Sequence, residues 1–216
     1  MNITIRHETP NDYRIVETIT REAFWNLYCP GCREHLIAHH LRKHHDFMPE
    51  LTFVIELGGE IVGSIFYSHA KIVDADNHEH KIISFGPVSI APGLHRMGLG
   101  RQLITHSINE AKRLVHRAII LGGYPYHYKP YGFEGSKKYG ISMPDGKYYT
   151  GIMALELYPG ALDGITGVVH FSEGMYPDDN ELEAFEKNFP PKEKAVTESQ
   201  REFEKAVAEI DTREYA

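Results

Sequence analysis

The chain has little cysteine, little tryptophan and no long apolar run. Of its 216 residues, two are Cys and one is Trp. Two thiols do not make the disulfide framework on which small secreted domains rely. No run of about 18 apolar residues occurs, so no transmembrane helix is expected. The N-terminal stretch Met1-Asn-Ile-Thr-Ile-Arg-His-Glu8 has no basic region followed by an apolar core, and so does not read as a secretory signal. A reducing, cytoplasmic setting is the expectation from these absences, with no membrane partner. Basic charge is also in short supply: 23 Lys and Arg stand against 30 Asp and Glu, a formal net charge of −7. That balance argues against nucleic acid as a partner, because phosphate backbones need a basic field. What remains is the composition of an ordinary globular protein, long enough to bury a normal core.

Within that composition one stretch stands out. Phe85 to Ile104 begins as an apolar, β-branched strand and breaks at Pro92-Gly93. A basic, glycine-spaced loop follows from His95 to Arg101. The apolar spacing then becomes helical at Leu99, Leu103, Ile104, Ile108, Ala111, Leu114 and Val115. A strand, a tight loop and a helix N-terminus make an anion site, since first-turn amides lack internal partners and the helix dipole favours negative charge there. The loop therefore reads as the holder of a pyrophosphate from a nucleotide-derived cofactor. A Rossmann dinucleotide loop fits less well: it needs a third glycine, and Gln102-Leu103 follow Gly100-Arg101.

The rest of the chain places this stretch in a mixed α/β fold. Ile3 and Ile5 alternate with polar residues as a short strand. Thr9-Pro10 opens a helix through Tyr13, Val16, Ile19, Ala23 and Phe24, which stops before Pro30-Gly31. A second helix is expected over Arg33 to His45. Thr52–Leu57, Gly58-Gly59 and Ile61–Tyr67 read as a hairpin whose second strand runs on to Val73. The strand from about Lys81 to Ile90 follows antiparallel, and the long helix after it runs to about His116. Ala118–Leu121 is a short buried strand and Tyr148–Tyr158 a last one. The order is an antiparallel meander ahead of a crossover helix. From Pro159 the character changes, with a glycine-rich stretch and helices near Glu181–Asn188 and Glu198–Glu209. Residues 1–158 are expected as one domain and 159–216 as an extension packing on or beside it.

Two motifs in this frame resemble the GNAT superfamily of acetyl-CoA-dependent N-acetyltransferases. The first is Val88-Ser-Ile-Ala-Pro92 followed by Arg96-Met-Gly98-Leu-Gly100-Arg101. His95 stands where many members have Gln. The second is Tyr128-Lys-Pro-Tyr-Gly132-Phe133, and the run from Gly123 to Phe133 looks most like the YhbS-like branch. The resemblance covers about residues 1–158. It implies the GNAT acyl-CoA N-acyltransferase fold, acetyl-CoA as cosubstrate and an amine as acceptor. It also implies that Val88, Ser89 and Ile90 lie on a splayed strand that binds the pantetheine arm. The amides of His95, Arg96, Met97, Gly98, Leu99, Gly100 and Arg101 would form the cofactor loop, and an N–H near Val88 would polarise the thioester. Tyr128 matches the tyrosine that commonly protonates the CoA sulfur; a phenol of pKa about 10 is able to donate at pH 7. Many members dimerise, so a homodimer is compatible with the resemblance.

Other features leave alternatives open. No carboxylate lies within residues 84–90, so a general base comes from elsewhere: Glu34, His35, Asp46, Glu173 or water. Cys32, Glu34 and His35 lie in the region that borders the acceptor in this fold and are candidates for substrate contact. Cys29 and Cys32, with His35, His39, His40, His44 and His45, carry the ingredients of a zinc site or a redox dithiol. The plainer reading of a thiol-bearing loop and a solvated histidine helix is preferred, with no metal assigned. A non-catalytic acyl-CoA sensor on the same fold is the alternative to an enzyme, and a metal-binding protein a further one.

Overall fold

The computed structural model describes residues 2–215. Its elements are β1 (Ile3–His7), α1 (Tyr13–Phe24), α2 (Glu34–Leu41), β2 (Phe53–Leu57), β3 (Glu60–Val73), β4 (Glu79–Ile90) and α3 (Leu99–Arg113). After them come β5 (Ala118–Gly122), α4 (Pro125–Tyr128), β6 (Glu134–Gly135), β7 (Ile141–Ser142), β8 (Ile152–Glu156), β9 (Gly167–His170), α5 (Asp179–Glu186) and α6 (Glu198–Ala208). The strands form one mixed sheet in the order β1-β2-β3-β4-β5-β8-β6, with β9 pairing both β3 and β7. β1 to β4 are an antiparallel meander, and β4 meets β5 in parallel across the α3 crossover.

Alternation along the meander gives each face its own core. Phe53, Ile55, Ile65, Tyr67, Ile83 and Phe85 point to one face, where Leu99, Leu103, Ile104, Ile108 and Ala111 of α3 cover them. Val54 and Phe66 point to the other, under Val16 of α1 and Ile37, Ala38 and Leu41 of α2. The fully buried Tyr67 hydroxyl is satisfied by Ser107 Oγ at 2.9 Å.

α2 ends four residues sooner than the apolar spacing predicts. After Leu41 the chain tightens into turns, with Lys43 N–H bonded to the His40 carbonyl and His44 N–H to the Leu41 carbonyl. His44 and His45 therefore leave the helix. β8 is also shorter than expected, because Tyr149 pairs instead with Ile210.

Residues 159–215 are knitted into the structure. β9 adds to the sheet beside β3 through Lys71–His170, Ile72–Val169 and Val73–Val168. α5 is pinned to α1 by Arg21, whose guanidinium donates to Glu186 at 2.9 and 3.0 Å. Phe203 of α6 stacks on Tyr28 with centroids 4.1 Å apart.

A buried ion cluster ties α2 to α1 and to the end of β1. Arg42, 3 % exposed at its side chain, donates to Glu8 at 2.7 and 3.0 Å and to Glu17 at 2.6 Å, and lies over the Tyr13 ring at 4.1 Å. Burial keeps the Glu8 pKa above its ordinary value in spite of Arg42. Arg42→Ala leaves two buried carboxylates without their cation. It is expected to lower the unfolding free energy by about 3–5 kcal/mol at pH 7, read by urea denaturation. A folded-state carboxyl pKa above the unfolded one gives stability as pH falls, so the variant should regain part of the loss as pH falls from neutral toward about 4.3.

Candidate active site

β4 and β5 share a single bridge, Ile83 to Ile119, and then diverge. Beyond Ile83, residues 84–90 stay paired to β3 on one edge only. The β3–β4 register shifts between Ile65 and Tyr67, opposite Gly86-Pro87. Such a bulge increases the local twist and re-aims the side chains past it. The parting strands open a cleft of about 1320 Å³.

At one end lies the loop ahead of α3. Arg96 (φ +65°) and Gly98 (φ +80°) both adopt left-handed backbone, which turns successive amides toward one side. The amides of residues 96–101 have no acceptor among the described residues, while the ladder of α3 starts with Gln102 N–H on the Gly98 carbonyl at 3.1 Å. Six consecutive free amides with Arg96 and Arg101 beside them form an anion nest. His95 Nε2–H donates to the Ile90 carbonyl at 2.9 Å. That bond ties the loop to the end of β4, a role for the His side chain which motif spacing does not disclose.

The sequence-predicted loop residues divide by position. Val88, Ile90, His95, Arg96, Gly98, Leu99, Gly100 and Arg101 line the cleft. Ser89 turns to the opposite face, 3.0 Å from Thr20 Oγ1 and 3.1 Å from Ser64 Oγ. The Met97 side chain points to solvent at 55 % exposure.

Tyr128 closes α4 and lines the cleft. Its ring packs against Phe85 and Phe133, each with centroids 5.8 Å away. Burial, with Tyr131 adding to it, pushes the phenol pKa up to about 12. Its hydroxyl donates to no group among the described residues. Gly123 makes room for this ring: a Cβ there would sit 2.6 Å from the Tyr128 ring carbon Cε2.

On the far side the α1–α2 connection and α6 supply the wall. Phe24, Tyr28, Glu34 and Ile37 line the cleft, as do Tyr124, Met175, Tyr176, Phe203, Ala206 and Val207. Tyr28 sits at the centre of an aromatic cluster, with centroids 5.8 Å from Phe24, 4.1 Å from Phe203 and 6.4 Å from Tyr124. Burial raises its phenol pKa, and Tyr128, Glu34, Tyr124 and Tyr126 are close enough to push the same way. Nothing in the residue pattern around Tyr28 or Phe203 singles them out, because their roles depend on a helix more than 170 positions away.

Of the three candidates for substrate contact, only Glu34 faces the cleft. Cys32 and His35 lie beneath α5, with Cys32 Sγ 3.3 Å from His35 Nδ1 and His35 Nε2 2.7 Å from Glu186 Oε1, off the line of a hydrogen bond. Burial, with Arg21 acting the same way, pushes His35 down to about 4 against the pull of Glu186. Burial first, then Glu34 and Glu186, raises the Cys32 thiol. The Cys29–His45 patch is dispersed: His39 meets Glu17 at 2.9 Å and His40 meets Glu181 at 2.7 Å. Among the described residues, the groups that bring three metal-ligating atoms together are His44/His45/Asp46 and Asp74/Asp76/His78, and neither contains a cysteine. Asp46 and Glu173 do not line the cleft.

Residues 21–127, which hold β4, the loop and α3, match the model of the acetyltransferase (GNAT) family. The chain is similar to the GNAT family over this stretch, just under half of its length. Among curated GNAT proteins it is 22 % identical over 169 residues to the uncharacterized N-acetyltransferase YhbS of Escherichia coli K12, which covers 78 % of this chain and 96 % of that one. Solved GNAT structures share the fold. The E. coli YhbS structure in complex with CoA superposes with TM-score 0.72 at 21 % identity, covering 82 % of this chain and 93 % of that one. A GNAT acetyltransferase from Brucella melitensis in complex with acetyl-CoA gives TM-score 0.64 at 23 % identity, over 80 % and 97 %. No helix among the described residues is long and apolar enough to cross a membrane.

Gly98 tests the loop. The place a Cβ would occupy there is open, so the cost of a side chain is conformational. Gly98→Val is expected to destabilise the fold by about 1–2 kcal/mol in denaturant titration, and Gly98→Asn by clearly less, since Asn tolerates the left-handed region.

Proposed function

We propose that this protein transfers the acetyl group of acetyl-CoA to the primary amine of an acceptor by direct attack. One observation carries the proposal: a half-unpaired β4 edge ends at six free amides beside two arginines. A pyrophosphate fits the nest. The free edge of residues 84–90 offers main-chain donors and acceptors to an amide-bearing arm, which is the character of pantetheine. The reacting thioester then lies near Val88, within the reach of Tyr128.

The chemistry follows from that placement. The neutral amine attacks the thioester carbonyl carbon, and the oxygen takes up negative charge next to a main-chain N–H of β4. The C–S bond breaks as the tetrahedral state collapses. Tyr128 gives its proton to the departing thiolate and regains one from solvent, while the amine proton leaves through water in the cleft. A phenol held up to about 12 stays protonated throughout neutral pH, as this step requires. Cys32 is not a candidate for a covalent acetyl intermediate, because its thiol is buried under α5 and held neutral.

Tyr128→Phe is expected to lower kcat by about 100-fold while leaving the KM for acetyl-CoA within about threefold. Unchanged kcat removes the acid role. The kcat/KM profile for a simple primary amine should rise from pH 7 to 9 as the amine loses its proton, with no fall from Tyr128 before about pH 10. Binding of acetyl-CoA by calorimetry without transfer to any amine would favour the sensor reading.

A further inference from the structure

The acceptor end of the cleft is built differently from the cofactor end. All the Arg side chains of the lining, Arg96 and Arg101, belong to the nest, and no Lys lines the cleft. The carboxylates of the lining are Glu34 and Asp145. Asp145 is engaged by the Tyr149 hydroxyl. Glu34 accepts from main-chain N–H groups, Arg33 at 3.0 Å through Oε2 and its own, and has no ion-pair partner among the described residues. The neighbouring Arg33 side chain pairs with Asp179 at 2.9 Å, and its charge favours the ionised Glu34 only through space. A desolvated carboxylate without a cation is costly, and burial accordingly raises the Glu34 pKa. A bound cation would repay that cost.

The surroundings of Glu34 indicate the shape of the cation's carrier. Tyr28, Glu34 and Tyr128 all line the one cleft, so the carboxylate and the proposed acid open onto the same space. Its walls are the rings of Phe24, Tyr28, Tyr124 and Phe203, closed on the outside by α6. Aromatic faces favour both an apolar body and an ammonium group. No cationic side chain in this end is available to pair a carboxylate on the ligand, and Glu34 would repel one.

Resting on the acetyl-transfer reading above, we propose that the acceptor is a primary ammonium compound with a compact apolar or aromatic body and no carboxylate beside the amine. Its ammonium is held by Glu34 and its body lies in the Tyr28–Tyr124–Phe203 chamber. Free α-amino acids are excluded by charge, and extended polyamines by the apolar walls.

The test compares 2-phenylethylamine, phenylalanine and putrescine as acceptors at saturating acetyl-CoA. The first should exceed phenylalanine in kcat/KM by about 100-fold or more, and putrescine by at least about tenfold. Glu34→Gln should raise the KM for 2-phenylethylamine by about 10–100-fold while the KM for acetyl-CoA stays within about threefold, and Glu34→Asp should restore part of the loss. Preference for phenylalanine or putrescine, or an unaltered KM in Glu34→Gln, overturns the assignment. Calorimetry of 2-phenylethylamine with the CoA-loaded protein gives a second readout. Binding that Glu34→Gln abolishes supports the chamber even if no acetyl is transferred, in which case the transfer reading alone fails. Absence of binding to the wild-type complex overturns the chamber itself.

Discussion

Two parallel strands joined by one bridge cannot satisfy each other's main chain along the rest of their length. That is the situation of β4 and β5 beyond Ile83–Ile119. The unpaired edge of residues 84–90 would be a defect in an ordinary sheet, since buried main-chain polar groups need partners. Here the edge faces a cleft instead of a neighbour, and everything around the cleft is arranged by that opening. The bulge opposite Gly86-Pro87 turns Val88 and Ile90 toward it. α3 begins at its end, with the nest of amides held by the His95–Ile90 bond. Gly123 lets the Tyr128 ring pack into the cleft lining.

The cleft is electrically asymmetric. One end is positive through main-chain dipoles and two arginines; elsewhere the lining carries the carboxylate of Glu34 among aromatic side chains. In the proposed function, an anionic cofactor would be drawn to the positive end and a cationic acceptor to Glu34. The C-terminal residues matter to this arrangement more than their polar composition implies. Arg21–Glu186 fixes α5 on α1, and α6 brings Phe203, Ala206 and Val207 to the cleft wall.

Local pattern was enough to read the meander, the anion loop and the aromatic run, because each depends on periodicity, turn chemistry or consecutive residues. Val88, Ile90, Arg96, Gly98 and Tyr128 all reach the cleft for that reason. Long-range pairing was not legible. Cys32 and His35 belong to the stretch that borders the cleft, yet α5 covers them through a contact between Arg21 and Glu186, 165 positions apart. Glu34, adjacent in sequence, falls on the open side of the same turn. Tyr28 and Phe203 form one wall only because α6 folds back, and no single-segment pattern contains that information. Ser89 shows the limit on a finer scale: strand alternation sends it to the face opposite its neighbours Val88 and Ile90.

In the proposed function, the unpaired β4 edge and the amides of residues 96–101 hold acetyl-CoA. Amide hydrogen exchange read by mass spectrometry, with and without saturating acetyl-CoA, tests it most directly. Protection is expected to concentrate in peptides spanning 84–90 and 96–101. Protection confined to other segments, with these two exchanging as they do in the free protein, would contradict it.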